Sequence, residues 1–154
     1  MLRGLDPLLN ADVLYLLRAM GHGDDIAIVD ANYPAVAHGK RVVRLDGVGA
    51  TRVLRAILSV MPIDTFVDEP IHRMQVVGAP DEMTPIMHEF QALVDEAPED
   101  GVVIAGLERF AFYERVKDAF AIITTTEARL YGNLIIKKGV VRPEDWQDHW
   151  HDAR

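Results

Sequence analysis

Four short segments of the chain carry residue types able to do chemistry. Gly21-His22-Gly23-Asp24-Asp25 sets a histidine between two glycines, after a stretch with helical spacing. Glycine leaves the backbone open to close approach, and imidazole is the side chain best suited to exchanging protons near neutral pH. The plainer reading is a helix C-cap with an exposed histidine near the helix dipole. Asp30 follows the apolar run Ile26-Ala27-Ile28-Val29. A lone aspartate there usually caps the next turn, but it is also placed to accept a hydrogen bond from a substrate hydroxyl or to orient His22. Arg109 opens Arg-Phe-Ala-Phe-Tyr-Glu-Arg at a helix start, where the macrodipole prefers an anion, and that mild conflict hints at a role. Tyr131-Gly132-Asn133 offers a phenol, a flexible backbone and a carboxamide within three residues. That set suits a polyhydroxyl ligand, but taken alone the segment reads first as an ordinary turn, since turns prefer Gly and Asn.

Other signals are weaker. His149 and His151 lie in Asp-His-Trp-His-Asp, and two residues in a tail do not make a metal site. His38 and His72 stand isolated, and His88 falls on an exposed helix face. The chain has no Gly-rich phosphate loop, no G-x-S-x-G and no H-E-x-x-H. Nothing therefore indicates nucleotide, phosphate or zinc chemistry.

These residues need elements to hold them. Leu9, Val13, Leu16, Leu17 and Met20 recur at helical spacing behind Asn10 as N-cap, with Gly21 to end the helix. Asp25–Val29 reads as a strand covered on both faces. A loop over 32–40 leads to a strand at 41–45 and a helix over 50–61 that Pro62 ends. Phe66-Val67 is a possible strand fragment and 71–77 alternates as a strand. Thr84-Pro85 starts a further helix, and strands follow at 102–105, 121–125 and 134–138 around a helix over 109–119. Residues 145–151 read as a short terminal helix or a loose tail. Alternating strands and helices predict an α/β domain with a mostly parallel or mixed sheet of about five or six strands. Ligands in such sheets sit at the carboxyl ends of strands, where Asp30 and the loop after Thr125 both fall.

Composition narrows the partners. The 154 residues hold 16 Lys and Arg against 24 Asp and Glu, a net charge of −8. An acidic chain with no basic run is a poor partner for nucleic acid or an anionic membrane surface. Having no cysteine excludes disulfides, thiolate metal sites and cysteine nucleophiles. The N-terminal Met-Leu-Arg-Gly-Leu-Asp-Pro lacks a signal-peptide core, and no apolar run approaches the roughly 18–20 residues of a membrane span. A cytoplasmic protein is expected.

Taken in order, the segments resemble the ribose-pyranase/fucose-mutarotase (RbsD/FucU) family, and its L-fucose mutarotase branch in particular. The resemblance rests on Met1-Leu2 through Pro7-Leu8, Met20-Gly21-His22-Gly23-Asp24, Asp30-Ala31 with Pro34, and Arg44-Leu45-Asp46-Gly47. It continues through Arg109 to Arg115, Ala119-Phe120-Ala121-Ile122, Tyr131-Gly132-Asn133 and Lys137-Lys138-Gly139-Val140. It covers about residues 1–141, is poor over 62–100, and leaves 142–154 as a C-terminal extension with no assigned role.

The resemblance implies a three-layer α/β/α domain and a cofactor-independent isomerase. The reaction would interconvert the α and β anomers of a reducing monosaccharide, with L-fucose favoured by the arginine at 109, where the ribose type carries a histidine. It implies His22 as the acid/base residue, with Asp30, Arg109, Tyr131, Gly132 and Asn133 binding the sugar and no metal or cofactor. Phe110, Phe112 or Tyr113 would wall the methyl group of a 6-deoxy sugar. Family members form rings, often decamers, with sugar sites at or near subunit contacts, so a homo-oligomer is expected. The alternative is a non-catalytic monosaccharide-binding protein using the same loop, arginine and aspartate.

Overall fold

The computed structural model describes residues 2–143. The tail segment 145–151 lies outside them, as does nearly all of the 142–154 extension. The chain runs α1 (Ala11–Ala19), β1 (Asp25–Val29), α2 (Ala35–His38), β2 (Val42–Leu45), α3 (Ala50–Leu58), β3 (Ile71–Met74) and α4 (Pro85–Asp95). It continues β4 (Ala105–Leu107), α5 (Arg109–Asp118), β5 (Ala121–Thr125) and β6 (Leu134–Lys137).

The six strands form one mixed sheet in the order β2-β5-β1-β6-β3-β4. β6 runs antiparallel to both β1 and β3, and the other described pairings are parallel. Five strands therefore share one direction. Their carboxyl ends, together with the amino end of β6, line one edge of the sheet.

Strand periodicity divides the core in two. In β1, Ile26 and Ile28 face α1, α3 and α4, packing with Leu16, Leu54, Ile57 and Phe90. Ala27 and Val29 face the opposite layer, with Tyr33, Ala35, Phe112 and Val116 of the α2 and α5 side. The result is the expected three-layer α/β/α arrangement, and β1 reads as a continuous apolar run because both its faces are covered.

Four departures from the sequence reading have local causes. The strand expected at 102–105 forms instead at Ala105–Leu107, paired with β3. The Gln91 side chain of α4 donates to the Val102 carbonyl at 2.8 Å and accepts from the Ile104 N–H at 2.9 Å, so those backbone groups are satisfied without a sheet partner. β3 stops at Met74, because a turn closed by the Ala79 N–H on the Val76 carbonyl follows. Phe66-Val67 is a bend and not a strand, with the Phe66 N–H held by the Asp64 carboxylate at 3.0 Å. The 32–40 loop contains the short helix α2, which follows Pro34.

Candidate active site

A cleft of about 190 Å³ opens at the carboxyl edge of the sheet, lined by Asp30, Asn32, Tyr33, Met74, Val77, Arg109, Tyr113, Leu130, Tyr131 and Asn133. That volume is below the roughly 300–1,000 Å³ of sites that enclose drug-sized ligands. Of the residues singled out from sequence, Asp30, Arg109, Tyr131 and Asn133 meet here; His22 and Gly132 do not line the cleft.

Asp30 follows β1 directly and Asn133 directly precedes β6, so the antiparallel pairing of those strands brings residues 103 positions apart together. The Asn133 amide donates to Asp30 Oδ2 at 2.8 Å, and its oxygen accepts from the Asp30 N–H at 3.0 Å. The other Asp30 oxygen accepts from the Asn32 N–H at 3.0 Å. Both side chains are buried, and burial pushes the Asp30 carboxyl above its ordinary range despite those hydrogen bonds. Asp30 thus caps its turn and lines the cleft at once; it makes no contact with His22.

Arg109 is the first residue of α5. The dipole conflict that singled it out is resolved one residue earlier: the Glu108 carboxylate caps the helix, accepting from the Phe110 and Ala111 N–H groups at 2.8 and 3.1 Å. Arg109 itself lines the cleft. Its guanidinium lies 4.6 Å from the Phe110 ring centroid, and its buried Nε has no hydrogen-bond partner among the described residues. A buried donor without a partner is uncommon in a folded protein, and this one belongs to a residue that lines the cleft.

Tyr131 adopts a left-handed backbone, with φ of 62°. For a bulky residue this is an outlier of the kind that clusters at ligand sites, costing about 1–3 kcal/mol. Its hydroxyl oxygen accepts from the Val77 N–H at 3.2 Å, leaving the phenolic hydrogen available. Gly132 acts through packing: a Cβ there would sit 2.8 Å from Glu127 Cγ.

His22 occupies the opposite edge, before the amino end of β1. Gly23, at φ of 84°, turns the chain into the strand. His22 Nε2 lies 3.1 Å from Asp64 Oδ1, and its ring centroid 5.3 Å from that of Phe66. The His22 side chain is 45% exposed, whereas Asp64 is buried. Asp64 is fixed because its N–H donates to the Lys137 carbonyl at 3.1 Å, extending the end of β6. β1 separates the two edges, and its five residues span roughly 17 Å.

Sequence reasoning missed Asp64, which lies in the 62–100 stretch and 42 residues from His22. It also missed Tyr33 on the aromatic wall and the apolar wall of Met74, Val77 and Leu130. Of the three aromatics expected near a methyl group, only Tyr113 lines the cleft; Phe112 is wholly buried in the core and Phe110 is exposed. Two histidines that look isolated in sequence are engaged in the fold. His38 Nδ1 lies 3.1 Å from the Tyr33 hydroxyl. His72 Nδ1 accepts from Arg115 at 2.8 Å, and burial, with Arg115 beside it, holds its imidazole below the usual range. Arg115 and Lys137 also pair with Asp25, at 2.9 Å each.

Comparison with known proteins gives consistent results. The model of the RbsD / FucU transport protein family matches residues 3–141. A zebrafish (Danio rerio) protein named fucose mutarotase is 43% identical over 152 residues, covering 94% of this chain and 97% of that protein. An L-fucose mutarotase of Actinobacillus pleuropneumoniae is 38% identical over 141 residues, covering 91% of this chain and 97% of that one. The crystal structure of the fucose mutarotase of Streptococcus pneumoniae in complex with L-fucose superposes with a TM-score of 0.86 at 40% identity, over 92% of this chain and all of that one. Matched along nearly its whole described length in sequence and in three-layer fold, the chain belongs to the RbsD/FucU family.

Proposed function

We propose that this protein is a cofactor-independent mutarotase that interconverts the α and β anomers of L-fucose. The observation that carries the reading is the carboxyl-edge cleft, where an unpartnered guanidinium nitrogen meets a buried Asp30–Asn133 pair and aromatic walls in a space of monosaccharide scale. Relatives named fucose mutarotase at about 40% identity support the choice of sugar. Cytoplasmic action fits the cysteine-free sequence, and among the described residues no helix is long and apolar enough to cross a membrane.

Ring opening needs a proton delivered to the ring oxygen and one removed from the anomeric hydroxyl. His22 handles protons. With Nε2–H donating to Asp64, Nδ1 is the free nitrogen that gives and takes them. Arg109 donates to sugar oxygens and stabilises negative charge developing there. Asp30 and Asn133 hold a sugar hydroxyl, and Tyr131 donates its phenolic hydrogen.

Proton transfer demands about 2.6–3.2 Å between heavy atoms, or one intervening water. His22 lies at the other edge from the cleft of its own chain, so the acid/base residue comes from a second copy. Exposed apolar side chains mark both surfaces: Val77, Phe110 and Leu130 around the cleft, Phe66 and Val67 beside His22. One edge meeting the other is a head-to-tail contact, which closes into a ring, and a decamer is the ring size expected from the family resemblance.

The test is anomer exchange by saturation-transfer NMR at neutral pH with L-fucose, D-ribose and D-galactose. Wild type is expected to exchange L-fucose fastest, and His22→Ala to lose about 10²–10⁴-fold. Measurable sugar binding with no exchange for any sugar would replace the mutarotase with a non-catalytic binding protein.

A further inference from the structure

Glu127 is a buried carboxylate that the reaction as described so far leaves unused. It stands in the loop between β5 and β6, ahead of Tyr131. Arg129 grips both of its oxygens, with Nε donating to Oε1 at 2.9 Å and Nη2 to Oε2 at 3.0 Å, a two-pronged charged pair. The Arg129 N–H adds a bond to Oε1 at 3.1 Å. Oε2 also accepts from the Ala50 N–H at 3.3 Å, so the carboxylate caps α3, whose own N-cap is Gly49 and has no side chain for the task. Two glycines make room for it. A Cβ on Gly49 would sit 3.0 Å from Oε2, and one on Gly132 2.8 Å from Cγ. Hydrogen bonding from Arg129 holds the Glu127 carboxyl below its ordinary range, so it is ionised at neutral pH.

The same residue anchors the start of the loop that carries Tyr131 and Asn133 to the cleft. Its N–H donates to the Thr125 hydroxyl at 3.1 Å, and its carbonyl accepts from the N–H of Ala31, the neighbour of Asp30, at 2.9 Å. Arg129 Nη1 ties the loop to Glu89 of α4 at 2.7 Å. The far end is fixed by the Asn133–Asp30 pair. Between these ties the usual order of conformations is reversed. The left-handed residue is Tyr131, although a glycine stands beside it. Gly132 is needed instead where the chain passes closely over the Glu127 side chain. A bulky residue keeps a left-handed backbone only where its surroundings over-determine it. The Glu127–Arg129 clamp supplies that constraint on one side and the Asn133–Asp30 pair on the other. Capping of α3 accounts for the Ala50 contact, but not for the grip of Arg129 or the seat under Gly132.

Resting on the mutarotase reading, we propose that Glu127, locked by Arg129, is a positioning residue for the sugar, acting through the Tyr131 and Asn133 side chains that its loop presents to the cleft. Neither Glu127 nor Arg129 lines the cleft. Their effect is to hold a strained backbone in the one conformation that places the phenol and the carboxamide together before the ligand arrives. Preorganisation of this kind lowers the ordering cost of binding and the misplacement of reacting groups.

Glu127→Gln keeps the length of the side chain and removes its charge. Variants are compared with wild type by saturation-transfer exchange at limiting L-fucose, by calorimetric affinity for L-fucose and by thermal unfolding. Exchange and affinity are read at a temperature where the unfolding curve shows the variant folded. Glu127→Gln is expected to lower exchange efficiency at least about tenfold and to weaken affinity, whereas a helix cap alone would lower only the unfolding midpoint. In a Tyr131→Phe background the same substitution is expected to cost at least about threefold less, because part of what Glu127 secures is already gone. Arg129→Lys keeps a cation but loses the two-pronged grip, and its half-exposed site tolerates the change, so it decides the matter if Glu127→Gln does not fold. Its expected loss of exchange efficiency is at least about threefold. Wild-type exchange and affinity in folded Glu127→Gln or in Arg129→Lys, or losses that simply multiply with Tyr131→Phe, would each overturn the positioning role. A wild type that binds L-fucose without exchanging it would overturn the mutarotase reading alone, and unchanged affinity in Glu127→Gln would then remove the positioning role as well. A wild type that neither binds nor exchanges L-fucose would overturn both.

Discussion

His22 and Arg109 are held in opposite ways. His22 is tied by one hydrogen bond to a buried carboxylate, and Arg109 carries a buried nitrogen with no partner among the described residues. Asp64→Asn keeps an oxygen for the Phe66 N–H but weakens the grip on the imidazole tautomer. It is expected to slow L-fucose exchange at least about tenfold with little change in stability, read from saturated exchange rates and thermal unfolding. Asp25 is a stability residue at the same edge. Burial raises its carboxyl, but Arg115 and Lys137 outweigh that and hold it below the ordinary range. A depressed folded-state value adds stability above the unfolded value and loses it as pH falls through the folded one. Asp25→Asn should therefore destabilise by about 1–3 kcal/mol at pH 7. The gap to wild type should close below about pH 4 in denaturant titrations across pH.

At the scale of elements, strand ends set the chemistry. The β1–β6 pairing joins Asp30 to Asn133 at one end, and the continuation of β6 carries Asp64 to His22 at the other. Gly139 governs that second end, because a Cβ on it would sit 2.3 Å from the Ile63 carbonyl oxygen, a backbone atom with little room to yield. Gly139→Ala is expected to cost about 1–3 kcal/mol and to lower exchange by displacing Asp64. An unfolding midpoint and an exchange rate both equal to wild type would contradict that coupling. In α5 the Glu108 cap and the cleft-lining Arg109 are adjacent, so the residue that caps the helix and the one proposed to bind the sugar are consecutive.

For the whole molecule, the proposed mechanism requires a second copy, because the length of β1 separates His22 from the cleft of its own chain. Mixing inactive His22→Ala and Arg109→Ala proteins, with subunits allowed to exchange, should restore activity. On random mixing about a quarter of sites draw an intact residue from each neighbour. A mixture as inactive as its components would place each site within one chain. Phe66→Glu should shift the assembly to smaller species in sedimentation and reduce exchange in parallel, since it puts a charge on the apolar edge beside His22.

Much was already determined by the sequence alone. The apolar run of β1, the Asn10 and Thr84-Pro85 helix starts and the alternation of elements specify a layered α/β domain, because period and capping are local properties. The segments holding His22, Asp30, Arg109 and Tyr131-Gly132-Asn133 each admit a plainer reading as a cap, turn or helix start, and they stood out only as a set in a fixed order along the chain. Tertiary structure decided which of them meet. Asp30 and Asn133 join through strand pairing 103 residues apart, and His22 is carried to the far edge by the direction of β1. Asp64 and the Tyr33–His38 pair emerged only in the fold. A hydrogen bond between side chains from different elements leaves no periodicity in the chain, and its partners are chosen by sheet order and register, which depend on how the whole core packs.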